Sequence, residues 1–280
     1  MTLFNGHPLP GSPRGIWEPV SEKRLVARYH AKPESYKGGS QAIILLYDLY
    51  GLSNDNPKYL ADMYAEHLGI PVIVPDYRPK PIQPLPYNWA DPSRNFFRRV
   101  VDFFLELKLM WTKFVPAARL ESDDIRYGRI KTCLQEVALE QSYSELLILG
   151  YSRGADLAAR LLADPDPVLA KAVKSGALVF PENISGDDVR RITKPTCWHM
   201  RSTVLYKSPV PKLLSTLREE QEGSAEMELH ELDEQPHGFW GLPYFYIAES
   251  ADHFKLNKYV EGVNKANRES LEFLRRSITG

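Results

Sequence analysis

Leu146-Leu147-Ile148-Leu149-Gly150-Tyr151-Ser152-Arg153-Gly154-Ala155, running on into Asp156-Leu157-Ala158-Ala159-Arg160-Leu161-Leu162, decides how the rest of this chain is read. Its opening apolar run has the length and character of a buried strand, and the Ala/Leu/Arg-rich tail reads as a helix. Between them lies G-x-S-x-G, with Gly150 and Gly154 flanking Ser152. A turn tight enough to push a serine oxygen out above a sheet needs strained φ/ψ, and small flanking residues let strand and helix approach. A glycine turn can also be plain packing. Its position between the two element types marks this one as a nucleophile elbow.

Working outward, 280 residues with 43% hydrophobic content are enough for one large α/β domain with a sizeable core. We read residues 1–280 as that single domain, with 1–23 as an N-terminal arm. The 35 basic residues balance 36 acidic ones, so no whole-chain field favours nucleic acid or an anionic membrane. The N-terminus has no basic region followed by an apolar stretch, and no run is long enough to span a bilayer, so a cytoplasmic protein without membrane partners is expected. Cys133 and Cys197 make no disulfide framework and match no zinc spacing, which leaves them as core thiols.

In chain order, the proline-rich arm precedes a strand expected within Arg24 to His30 and a buried parallel strand at Gln41 to Tyr47. A polar loop from Asp48 to Pro57 leads to a helix over Lys58 to Leu68, and Ile70 to Val74 is the next strand. That order is a βαβ unit of a parallel sheet, whose ligands sit beyond the carboxyl ends of the strands, so the loops at Asp48 and Asp76 face the same side as Ser152. Residues 79–93 are rich in proline and aromatics and read as a substrate wall. Asn95 to Phe114 has helical spacing of aromatics, expected to pack as core under a cap, with a hydrophobic substrate pocket as the sharper alternative. Tyr127 to Glu140 is a further helix before the elbow strand. Downstream, strands are expected at Ala177 to Phe180, Thr196 to Met200 and, edge-like, Ala225 to Leu232. Helices are expected at Asp187 to Ile192, Pro211 to Gln221 and Asp252 to Ile278. His199 is expected as a core histidine.

Three segments in this order resemble the dienelactone hydrolase family of the α/β-hydrolase superfamily: Tyr47-Asp48-Leu49-Tyr50-Gly51-Leu52 through Ala61-Asp62 to Val74-Pro75-Asp76-Tyr77, then Gly150-Tyr151-Ser152-Arg153-Gly154, then Pro236-His237-Gly238-Phe239. The likeness covers roughly residues 24 to 278, with 79–125 less well matched as a lid or wall. It implies an α/β-hydrolase fold: a mostly parallel central sheet with helices on both faces and an aromatic-rich insertion. It further implies Ser152 as nucleophile, His237 as its general base, the amides of Leu49 and Arg153 as oxyanion hole, and Asp48 as an acidic residue near the nucleophile. A serine hydroxyl needs an imidazole to take its proton, and a tetrahedral oxyanion needs two preorganised N–H donors.

The chain departs from the family pattern at two points. Members commonly use cysteine where Ser152 stands, and a hydroxyl depends more on its base than a thiolate does. Where the family places its triad aspartate, this chain has Trp198-His199-Met200-Arg201-Ser202-Thr203-Val204-Leu205, with Val204 near that position and no carboxylate until Glu219. Loss of the orienting acid costs about four orders of magnitude in a serine triad. Glu182, beyond the preceding strand, is the preferred replacement, with Asp48 as the alternative. Arg78 and Tyr151 are candidate substrate contacts, the arginine reading otherwise as a surface charge, and Arg153 either covers the pocket or pairs with an acid. No phosphate-binding glycine motif follows a strand, and no metal or cofactor is expected.

Three functions compete. The first is a serine hydrolase acting on an ester, lactone or thioester of a small apolar or polyketide-like acid. The second is a cyclase, isomerase or carbon–carbon bond-cleaving enzyme of natural-product biosynthesis with His237 as acid/base. The third is a non-catalytic binding descendant.

Overall fold

A computed structural model describes residues 12–47, 51–53, 55–78, 95–109, 112, 122–140, 143–181, 183–202, 226–233 and 254–279. They form one eight-stranded sheet, in the order β1-β2-β4-β3-β5-β6-β7-β8. The strands are β1 (Ile16–Glu18), β2 (Arg28–Ala31), β3 (Gln41–Leu46), β4 (Val72–Pro75), β5 (Glu145–Tyr151), β6 (Val173–Val179), β7 (Thr196–Ser202) and β8 (Met227–Asp233). β2 runs antiparallel to both β1 and β4, while every pairing from β4 to β8 is parallel.

The middle of the sheet is apolar because both of its faces are covered. Ile43, Ile44, Leu45 and Leu46 of β3 and Leu146 to Leu149 of β5 are all buried. Full burial of such a side chain contributes about 1.5–3 kcal/mol, which is why these strands read as continuous apolar runs rather than alternating ones. Helices α1 (Asn56–Leu68) and α7 (Phe254–Thr279) touch each other on one face. Helices α3 (Asp123–Glu140), α4 (Arg153–Leu162) and α5 (Pro167–Ala172) form a second group of neighbours, with α4 lying against β3, β5 and β6. Helix α2 (Phe96–Leu109), the short α6 (Gly186–Arg191) and a 3-10 turn at Gly51–Ser53 complete the described elements. Local chemistry sets several helix ends. Asp166 accepts from the amides of Val168 and Leu169 to start α5, and Ser185 accepts from Asp188 to start α6.

Several expectations change. Part of the arm, at β1, is an edge strand, and β2 begins at Arg28 rather than Arg24. β6 begins at Val173, four residues before the apolar signal at Ala177: Lys174, Ser175 and Gly176 interrupt the hydropathy, and the register to β5 shifts there, with Val173 opposite Leu146 and Ser175 opposite Leu147. The aromatic helix forms, but among its described side chains the aromatics are not core: Phe97 is 82% exposed, and Phe96 and Phe104 are exposed as well. Helical spacing puts residues on a common stripe and says nothing about what covers it. The 79–93 wall and the Pro211 to Gln221 helix lie outside the described residues.

Candidate active site

β5 ends at Tyr151 and α4 begins at Arg153, so Ser152 alone makes the corner. Its backbone sits at φ 53 and ψ −119, a region that non-glycine residues occupy at a cost of about 1–3 kcal/mol. The corner is held from both sides. The Ser152 amide donates to the Val179 carbonyl at 2.8 Å, and its carbonyl accepts from Ala155 at 2.8 Å and Asp156 at 3.2 Å.

Both flanking glycines are required by space. A Cβ on Gly150 would come within 2.6 Å of the Ala155 Cα, and one on Gly154 within 2.7 Å of the Tyr47 carbonyl oxygen. Strand β3 thus passes directly beneath the first turn of α4. Ser152 itself is only 1% exposed. Arg153 opens α4, and the first amides of a helix have no partner within it, so its N–H lies in the part of the fold where an anion is stabilised.

The Arg153 guanidinium lies 3.8 Å from Asp123 and 3.9 Å from Asp156, which favours the acid-paired alternative for its side chain. Arg78, at the carboxyl end of β4, is 3% exposed and so is not the surface charge that its loop position suggested. Tyr151, a candidate substrate contact from its place beside Ser152, points its phenol into the layer between the sheet and α1 and α7. There its hydroxyl donates to Asn267 Oδ1 at 2.7 Å and meets the Tyr64 hydroxyl at 2.9 Å. Alternation along β5 is the reason: residues next to each other face opposite sides of the sheet. Asp48, Leu49, Glu182 and His237 lie outside the described residues.

Two features beside the corner were not anticipated. Phe180, directly after β6, also has a positive φ, of 55, and its amide donates to the His199 carbonyl at 2.9 Å. Val179, Phe180 and Asn183 then border the elbow, the last donating its amide to Asp156 Oδ1 at 3.0 Å. On the other side Tyr47 and Tyr77 stack at 4.4 Å, Tyr47 donates to Asp76 Oδ1 at 3.2 Å, and the Tyr77 hydroxyl donates to the Tyr47 carbonyl. Burial, with Tyr77 and Asp76 adding to it, keeps the Tyr47 phenol protonated far above its ordinary range. The Tyr47-Asp48 and Asp76-Tyr77 pairs were visible in the sequence, but nothing local showed that the two rings meet. His199, expected in the core, is fully buried, and burial pushes its pKa down to about 3, with His230 and Lys265 adding to the effect.

This strand order, with a strained serine between β5 and the helix that follows it, defines the α/β-hydrolase fold. The solved structures it resembles are dienelactone hydrolases and related α/β hydrolases. An esterase/lipase from an uncultured bacterium aligns with a TM-score of 0.53 at 14% identity, over 98% of this chain and 88% of that one. The dienelactone hydrolase-like promiscuous phosphotriesterase P91 from metagenomic libraries aligns at 0.50 and 12%, over 91% and 97%. The dienelactone hydrolase of Anabaena variabilis aligns at 0.50 and 11%, over 91% and 94%. No family model matches the chain, and no curated protein sequence matches it. Among the described residues no helix is long and apolar enough to cross a membrane.

Proposed function

We propose that this chain is a hydrolase that cleaves an ester, lactone or thioester of a small apolar acid through an acyl-enzyme on Ser152. The observation that carries this reading is the Ser152 backbone, held at φ 53 by glycines whose replacement would clash with backbone atoms. Strain of this kind persists only where the surroundings enforce it, and it aims a hydroxyl at the carboxyl edge of the sheet.

In the proposed reaction His237 takes the Ser152 proton as the oxygen attacks the acyl carbon. The amides of Arg153 and Leu49 hold the resulting oxyanion, and His237 returns the proton to the leaving alcohol or thiol. Water then hydrolyses the acyl-serine by the same route. Glu182 orients the imidazole, with Asp48 as the alternative acid. The positive φ at Phe180 supports the first choice, because the chain turns there next to the elbow and Glu182 follows two residues later in sequence.

A serine-directed fluorophosphonate should label the wild-type protein but neither Ser152→Ala nor Ser152→Gly. The glycine variant should also be more stable by about 1 kcal/mol, since glycine accepts a positive φ without the Cβ penalty. Together the two results separate loss of a nucleophile from loss of the fold. Folded wild-type protein that resists labelling counts against an acyl-enzyme. Turnover that survives Ser152→Ala but not His237→Ala points instead to the cyclase or isomerase chemistry.

A further inference from the structure

Away from Ser152, the parallel pairing of β7 and β8 sets Cys197 opposite Glu228 and His199 opposite His230. Residues two apart on a strand share a face, so all four side chains lie on the same side of the sheet. Helix α7 covers that side and brings Glu269, Ser270 and Arg276 to the group. Such a concentration of ionisable side chains between a sheet and a helix is costly unless each polar atom finds a partner.

The polar atoms here are not all paired. The Cys197 sulfur, a Glu228 carboxylate oxygen and a His230 ring nitrogen all lie within 4.8 Å of one another. His230 Nε2 is buried and has no hydrogen-bond partner among the described residues, although Glu228 Oε2 stands 3.5 Å away. That separation exceeds the usual N–H···O range of about 2.7–3.2 Å. It matches the edge of a tetrahedron around a zinc ion, which is about 3.4 Å for bonds of about 2.0–2.2 Å.

The surroundings resemble the supporting shell of a metal centre. A metal-bound imidazole usually turns its second nitrogen to a carboxylate, and Glu269 Oε2 stands 3.4 Å from His230 Nδ1, an ion-pair separation rather than a hydrogen bond. A ligating carboxylate is usually held by a further donor, and Arg276 takes Glu228 Oε1, leaving Oε2 toward His230. His199 stacks on His230 at 4.9 Å, with Nε2 3.3 Å from the Cys197 sulfur and 3.0 Å from Ser270 Oγ. Lys265 lies 3.8 Å from Glu269 Oε1.

We propose that Cys197, Glu228 and His230 form a binding site for a zinc-type divalent cation between β7, β8 and α7. One thiolate, one imidazole and one carboxylate suit a borderline-soft ion, and three protein ligands leave one position for water. As the metal–sulfur bond forms, the Cys197 S–H bond breaks and its proton passes to solvent, so binding weakens as pH falls. The site lies two to three strand spacings from β5, about 10–14 Å along the sheet, and so is separate from Ser152. Its effect is to tie β8 to β7 and, through Glu269 and Arg276, to α7.

The test uses the whole 280-residue chain stripped with chelator and titrated with Co²⁺, then Zn²⁺. One Co²⁺ per chain should bind with a thiolate-to-cobalt charge-transfer band, Zn²⁺ should displace it, and the thermal midpoint should rise with either ion. The band should vanish in Cys197→Ala, which also excludes Cys133, the chain's other thiol. Glu269→Gln should keep the band and weaken affinity by roughly ten- to a hundredfold. His230 is 28% exposed, so His230→Gln provides a readout even where Cys197→Ala folds poorly, and it should weaken binding at least as much as Glu269→Gln. Folded wild-type protein without a cobalt band, or binding indifferent to His230→Gln, overturns the proposal.

Discussion

The centre of the sheet and its two flanks solve different problems. β3, β5 and the second half of β6 are mostly apolar, and strain is concentrated at the carboxyl ends of β5 and β6, in Ser152 and Phe180. The flanks are relaxed strands that carry ionisable groups, buried in Arg28, His30, Cys197 and His199 and half-buried in Glu18, Glu228 and His230. The centre therefore depends on backbone geometry, while the flanks depend on pairing of charge. Substitutions should separate the two, steric at the centre and electrostatic at the flanks.

The largest effect is expected at the centre. Gly154→Ala places a methyl group 2.5 Å from the Leu46 carbonyl carbon; β3 cannot move away without breaking its pairing to β4 and β5, nor α4 without losing its packing on the sheet. A loss of about 3 kcal/mol or more, seen as a collapse in the denaturant midpoint, is expected. Near-wild-type stability would mean that the elbow is looser than its geometry indicates.

On the β1–β2 flank, Glu18→Ala removes the carboxylate that accepts from Arg28 Nε at 2.7 Å, leaving a guanidinium that is 0% exposed without that partner. Breaking one side of a buried pair costs about 3–5 kcal/mol, somewhat less here because Glu18 retains partial exposure. Chemical denaturation should show a loss near the lower end, and Glu18→Ala with Arg28→Met should recover much of it. Absence of recovery would assign the loss to packing.

The smallest effect is a pH dependence at His30. Burial lowers its pKa below 6.5, with Lys32 and Arg28 adding to this and Glu18 opposing it. The unfolded chain therefore binds the proton more readily than the folded one. This contribution to stability is fully present above pH 6.5 and is lost as pH falls through 6.5 toward the lower folded value. Urea midpoints followed over that window should fall less steeply with decreasing pH in His30→Gln. Parallel curves would show that the flank's charge network does not feel this proton.

Much of the centre was legible because its signals are local. The apolar run before Gly150, the helical tail after Gly154 and the βαβ order from Gln41 to Val74 each depend on neighbours in sequence. The elbow follows because G-x-S-x-G names the residues that the turn requires. The flanks were much less legible. β1 lay hidden in a proline-rich arm, since two or three exposed residues pairing with a distant strand leave no periodicity. Cys197 and His199 are separated from Glu228 and His230 by about thirty residues, with no linear metal motif to join them. Tyr151 shared a motif with Ser152 yet faces the opposite layer, because strand alternation overrides proximity in sequence. The acid expected to orient His237 was a gap in the sequence, and the positive φ at Phe180 became visible only in three dimensions.

By itself the sequence determined the fold class, the elbow and the central strands, because burial on both faces and the steric demands of a tight turn restrict residue type at each position. Only the tertiary structure decided which side chains meet across strands: the Tyr47–Tyr77 stack beneath the elbow, the anchoring of Tyr151 on Asn267, and the register that gathers Cys197, His199, Glu228 and His230 beneath α7. Register is set by the summed pairing of whole strands, so no short stretch of sequence carries it.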